Sequence, residues 1–165
     1  MQFPATNAAL KTLSSGLPVI MQVDSAAPVV SAQCWVATGS QHENQFAGSG
    51  LSHLLEHMVF KGTNSFTGAE LATTVNSMGG QWNAYTSFDR TVYYIDGPSA
   101  SCDTFLRVLF ELVFQPRFPE ADFETERDVI RREIDMGKDD PDSVSYTHLR
   151  AHETVLDLVC RLLLE

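Results

Sequence analysis

The chain reads as an α+β fold, with a mixed or antiparallel sheet and helices packed on one face. Three observations predict this. Strand-like and helix-like segments are interspersed along the chain, so neither an all-α nor an all-β fold accommodates them. The strand-like residues cluster in pairs around short polar turns, the mark of hairpins. Finally, 165 residues with 44% hydrophobic content suffice for one domain with its own core.

The elements follow in order. Leu10 to Leu13 and Pro18 to Val23 are short apolar segments around Ser14-Ser15-Gly16, which predicts a hairpin. Pro28 to Ala37 is a stronger strand, β-branched and roughly alternating. Thr38 to Gly50 is polar and glycine-containing, hence a loop, and Ser49 or Ser52 is the expected cap of the helix that follows. That helix ends at Phe60-Lys61-Gly62-Thr63. Thr67-Gly68-Ala69-Glu70 has the form of a capping box and starts a helix to about Ser77, closed by Met78-Gly79-Gly80. Gln81 to Thr86 and Thr91 to Ile95 are two strands around Ser87-Phe88-Asp89-Arg90. Pro98 is expected to start a long helix to about Phe114, with Leu106, Val108, Leu109, Leu112 and Val113 apolar. After a break at Gln115 to Pro119, Asp122 to Met136 reads as a further helix.

The first of these helices carries His53-Leu54-Leu55-Glu56-His57. Residues four apart on a helix stand one above the other, so His53 and His57 can share one metal ion, with Glu56 beside them as a base. This H-x-x-E-H spacing is the inverzincin signature. At about 100° per residue, Leu51, Leu54, Leu55, Met58 and Val59 fall on one side of the helix. Ser52, His53, Glu56, His57 and Phe60 fall on the other. The alternative reading of the polar side is a solvated face. A catalytic zinc site needs a third protein ligand.

The Asp122 to Met136 helix offers one. Phe123, Val129, Ile130, Ile134 and Met136 form its apolar arc, and Glu126 and Glu133 interrupt that arc about two turns apart. An unpaired buried carboxylate is expensive, so each needs a partner of opposite charge, either a metal ion or an arginine from elsewhere.

Composition excludes several classes. A net charge of −10 leaves no basic stripe for nucleic acid and disfavours anionic membranes. No run approaches membrane-spanning length. Cys34, Cys102 and Cys160 form no C-x-x-C pair, so neither a disulfide framework nor a thiolate zinc site is expected. Met1 to Lys11 shows no signal-peptide pattern; that is compatible with the cytoplasm, or with export if the start is misassigned. Gly137 to Asp142 reads as a helix-ending acidic loop. Residues 144–165 differ in composition, and we expect a non-native tail there, a translated sequencing adapter, leaving residues 1–143 as the domain. His148 and His152 in that tail have helical spacing but no carboxylate between them, and their pairing is taken as incidental.

Several ordered motifs over roughly Leu10 to Ser143 together resemble the pitrilysin/insulinase-type zinc metallopeptidases, a family that includes the mitochondrial processing peptidase β subunit. They are Gly39-Ser40 with Glu43; His53 through Thr63; Gly79-Gly80 followed by Asn83-Ala84-Tyr85-Thr86; Asp89, Thr91 and Tyr93-Tyr94; and Glu126 to Ile130 leading to Glu133. The resemblance implies an endopeptidase whose Zn²⁺ is held by His53, His57 and Glu133. It implies Glu56 as the general base and Glu126 as a further acidic residue near the metal. It also implies an edge strand at Asn83 and Ala84 that pairs with the backbone of a peptide or protein substrate. Phe60 is a candidate lining residue for a substrate pocket. Family members are far longer, and a later domain supplies substrate-holding groups. The resemblance therefore implies a fragment that needs a C-terminal domain or partner subunit, and turnover by these 165 residues alone is not expected. Two other readings share these residues. One is a non-catalytic subunit or binding module of the same fold, although such members usually lose part of H-x-x-E-H. The other is the S-ribosylhomocysteine lyase, whose third ligand is a cysteine where this chain offers Glu133.

Overall fold

β-branched and aromatic stretches separated by short polar turns pair locally before anything else can, and the architecture is built on two such hairpins. A computed structural model of the chain describes residues 7–138. Gly137 and Lys138, expected in an acidic loop that ends the helix, instead continue the last helix; residues 139–142 of that loop, the expected boundary at Ser143, the 144–165 segment with His148 and His152, and Cys160 lie outside the described residues.

Strands β1 (Ala9–Thr12) and β2 (Pro18–Met21) form an antiparallel pair with Ala9 opposite Met21 and Thr12 opposite Pro18. Gly16 makes the reversal with φ +86°, a left-handed conformation that glycine adopts without steric cost. A three-stranded antiparallel sheet then forms from β3 (Val29–Val36), β4 (Gln81–Thr86) and β5 (Thr91–Pro98), in the order β3-β5-β4. Among the described residues, β4 is therefore an edge strand. The strand expected to stop at Ile95 runs on to Pro98, and the helix expected to begin there begins at Cys102, after a 3₁₀ turn at Ser99–Ser101. The reason is pairing across the sheet: β3 continues to Val29, which lies opposite Pro98, and the long partner holds the segment extended.

Four helices complete the described chain: α1 (Leu51–Val59), α2 (Gly68–Ser77), α3 (Cys102–Phe114) and α4 (Glu120–Lys138). The capping box of α2 forms as expected. Thr67 Oγ1 accepts from the Glu70 amide at 3.3 Å, and Glu70 Oε2 accepts from the Thr67 amide at 2.8 Å. The expected serine cap of α1 does not form. Gly50 is the N-cap, without a side-chain bond, and Glu43 Oε1 reaches back to accept from the Ser52 amide at 2.8 Å. A carboxylate at a helix N-terminus also complements the helix dipole.

One core joins α1, α2 and α3 to one face of the sheet. Val59, Leu71, Val75, Phe105, Leu109 and Leu112 pack against Ala32, Tyr93 and Ile95. Strand alternation puts Trp82, Ala84 and Thr86 of β4 on this helix-covered side, whereas Gln81, Asn83 and Tyr85 are exposed. Helices on one face of an antiparallel sheet are the expected α+β architecture. Among the described residues, no helix is long and apolar enough to cross a membrane.

Candidate metal centre

The periodicity of α1 assigns its inside and outside only in part. Leu51 and Leu55, on the apolar side, are both 48% exposed, while Ser52 and Glu56, on the polar side, are buried. Met58 and Val59 are buried as expected. Part of the polar side is covered because α1 packs against both α4 and β4, which bring Glu126, Glu133 and Thr86 to it. On this polar side Ser52 and Glu56 are buried, whereas the His53 and His57 side chains stay 37% and 23% exposed.

His53 and His57 stand one turn apart with their rings edge-on, 4.8 Å between centroids. Glu133 comes to them from α4. Its Oε2 lies 3.5 Å from His53 Nε2 and 3.9 Å from His57 Nε2. With ligand bonds near 2.1 Å, tetrahedral zinc needs donor atoms about 3.4 Å apart, so these separations fit the ion with small adjustments. The three residues are the group among the described residues whose ligating atoms converge in this way, all within 4.8 Å of one another. The donor chemistry, two imidazoles and one carboxylate with part of the cluster open to solvent, is that of a catalytic rather than a structural zinc site.

Glu126 sits behind this cluster, 7% exposed. Its Oε2 is 2.9 Å from His57 Nδ1, and its Oε1 is 2.5 Å from Lys61 Nζ. Burial pushes the Glu126 carboxyl up, but the hydrogen bonds from Lys61 and His57, together with their charges, outweigh it, and the net direction is down. The two carboxylates that interrupt the apolar arc of α4 thus differ. Glu126 is enclosed and paired with a lysine and a histidine, where an arginine was the expected alternative to a metal. Glu133 keeps its side chain 38% exposed beside the histidines. The apolar arc is itself only partly covered, since Ile130 is buried while Phe123, Ile134 and Met136 are exposed.

Glu56 faces β4 rather than solvent. Thr86 Oγ1 donates to Glu56 Oε2 at 2.5 Å. Burial, then the nearby Glu56 charge, hold the hydroxyl of Tyr93 beneath them well above its ordinary range. A cleft of about 640 Å³ opens beside this pair, lined among others by Ser40, His53, Glu56, Ala84, Thr86 and Phe88. Ala84 lines it from the edge strand, and its amide is met by its neighbour Asn83 Oδ1 at 2.9 Å. Phe60 lies elsewhere. It packs edge-on to Trp82 at 5.0 Å and near Tyr93 at 6.1 Å, against the core.

Sequence reasoning assigned no role to Lys61, Thr86 or the helix-capping Glu43. The alternation of β4 was a usable signal for Thr86, because it sets that residue on the same face as Trp82 and Ala84. Thr86→Val keeps the shape and removes the donor to a buried carboxylate oxygen. It should cost about 1–3 kcal/mol, read from the urea-unfolding midpoint; a change below about 0.5 kcal/mol would show that solvent satisfies Glu56 equally well.

Comparison with known proteins gives a consistent picture. The sequence profile of insulinase (peptidase family M16) matches residues 18–158, a span that runs past Ser143. A Bacillus subtilis protein described as an uncharacterized zinc protease is 35% identical over 133 residues, which is 81% of this chain and 32% of that protein. The human mitochondrial-processing peptidase subunit beta is 34% identical over 139 residues, 84% of this chain and 28% of the subunit. The crystal structure of a protease from Helicobacter pylori superposes with a TM-score of 0.72 at 32% identity, covering 78% of this chain and 31% of that one. The chain thus spans about a third of the length of the relatives it matches.

Proposed function

Because the chain belongs to the insulinase family, peptidase family M16, we propose that it is the zinc-holding part of an endopeptidase acting on extended peptides. The observation that carries this reading is the convergence of His53, His57 and Glu133 beside a buried Glu56 in an open cleft. His53 Nε2, His57 Nε2 and Glu133 Oε2 would hold the ion. A zinc ion so held acidifies water toward a pKa of about 7 and polarises a peptide carbonyl.

The chain's own residues supply the rest. Glu56 is the general base, taking a proton from the attacking water and returning it to the leaving amine. Thr86 fixes the carboxylate by occupying Oε2, which leaves Oε1 to exchange the proton. A substrate backbone would add to the sheet along β4, whose outer edge has no neighbouring strand among the described residues. The Ala84 amide would then exchange the Asn83 side chain for a substrate carbonyl. The further residues that hold substrate in the whole protein would come from a C-terminal domain or a partner subunit.

The test joins this chain to the relative it resembles. In the Bacillus subtilis protein, the segment matching this chain is replaced by it, and hydrolysis of a quenched fluorogenic peptide is followed. The expected result is chelator-sensitive turnover that falls at least about 100-fold in Glu56→Gln while bound zinc is unchanged. A folded, zinc-loaded chimera that cleaves equally well with Gln at position 56 would overturn the assignment.

A further inference from the structure

Lys61 stands just beyond the end of α1, outside the set of residues the zinc-peptidase reading uses. Its position is set by the backbone. Its amide donates to Met58 O at 3.1 Å, and its carbonyl accepts from Gly68 at 3.2 Å. From there its ammonium reaches Glu126 Oε1 at 2.5 Å, while the other oxygen of the same carboxylate meets His57 Nδ1 at 2.9 Å. His57 Nε2 then points into the cluster, 3.9 Å from Glu133 Oε2. Lysine, carboxylate, imidazole and ligand position form one continuous line.

Exposed ion pairs of this kind do little, but here the Glu126 side chain is only 9% exposed and the Lys61 side chain 32%. A carboxylate so enclosed needs a partner of opposite charge, and Lys61 is that partner. Glu126 also lies close to a second carboxylate, Glu133, across His57. Lys61 supplies the opposing charge on the side away from the histidines, so it does not compete for their lone pairs. With one Glu126 oxygen against the Lys61 ammonium and the other against His57 Nδ1, the ring donates Nδ1–H to the carboxylate and Nε2 keeps the lone pair that a metal requires.

We propose that Lys61 is a positioning residue of the metal centre: by holding the Glu126 carboxylate in place against His57 Nδ1, it orients the His57 ring and selects the tautomer that can ligate zinc. This rests on the zinc reading above. The line Lys61–Glu126–His57 carries it, because each link is a direct contact between groups of complementary type.

The test measures zinc binding by the 165-residue chain, in competition with a chromophoric chelator. Lys61→Met is expected to weaken zinc binding about 10-fold or more, within the range typical of outer-sphere partners. Lys61→Arg should restore it to within about 3-fold, because the charge is kept. Lys61→Gln, measured alongside, keeps a donor without the charge and should behave like the methionine variant. Arg127→Met, which breaks the exposed Arg127–Glu124 pair on α4, should leave binding unchanged. A second readout needs no metal: ¹⁵N shifts of the His57 ring should report a single Nδ1–H tautomer in the wild type and a mixture in Lys61→Met. Wild-type affinity and an unchanged tautomer in Lys61→Met overturn the proposal. If the wild type binds zinc and requires Glu133 but is indifferent to Lys61, this inference alone fails. If the wild type binds no zinc, the metal-centre reading fails with it.

Discussion

Glu133→Gln should lower zinc affinity several hundred-fold. Structural zinc sites with four ligands bind with roughly 10–16 kcal/mol, so each ligand contributes about 2.5–4 kcal/mol. Loss of the single charged ligand falls at that scale. Glutamine keeps the size of the side chain and removes its charge, so the change isolates ligation from packing. The fold should tolerate it, because the Glu133 side chain is 38% exposed and pairs with neither Lys61 nor Thr86. The metal-free melting temperature is therefore expected to match the wild type. Added zinc should separate the two proteins. At a hundredfold excess over its dissociation constant, a ligand of the native state stabilises by about 2.7 kcal/mol, an upward shift that the variant should lack. Equal zinc content in wild type and variant after dialysis would remove Glu133 from the ligand set.

Phe105→Ala should destabilise the chain by about 3–5 kcal/mol, the range for deleting a fully buried aromatic ring. Phe105 is wholly buried in α3, where it plugs the space under two glycines. A Cβ on Gly80 would come within 2.8 Å of its ring, and one on Gly97 within 2.7 Å. Those glycines therefore exist to let the ring approach the sheet backbone, and no neighbouring side chain can slide in to fill the void. Against a total stability of about 5–15 kcal/mol, the loss is large, and the melting temperature should fall by more than about 10 °C. Circular dichroism during heating reads it directly; a loss below about 1 kcal/mol would mean the core recloses. The effect reaches the site because α3 packs on β3 and β5, and β5 carries β4 with Thr86 and Ala84.

Most of the secondary structure was legible because it is a local property. The Thr67–Glu70 capping box and the Gly16 turn are written in neighbouring residues, and each appears at its expected place. The end of β5 was not legible. Whether Asp96 to Pro98 stays extended depends on Ser31 to Val29 lying opposite it, some way off in the chain. The polarity of α1 failed for a related reason. Periodicity reports which residues share a face and is silent on what packs against it. α4 and β4 both dock on α1, Glu56 is buried, and Leu51 and Leu55 are left exposed.

The same division holds for the candidate site. The pair His53 and His57 follows from the period of a helix, and the discord of Glu126 and Glu133 within an apolar arc follows from the cost of burying charge. Both are readable from one sequence and mark the candidate ligands; the fold class followed from the order of strand-like and helix-like segments, and the family from the resemblance of several ordered motifs. Which of the two carboxylates meets the histidines' Nε2 atoms, which one turns instead to Lys61, and that Thr86 holds Glu56, were decided by tertiary structure. Those contacts join residues as far apart in sequence as His57 and Glu126, or Glu56 and Thr86. Their partners are chosen by how α4 and β4 dock on α1, and no local pattern encodes a distance between separate elements.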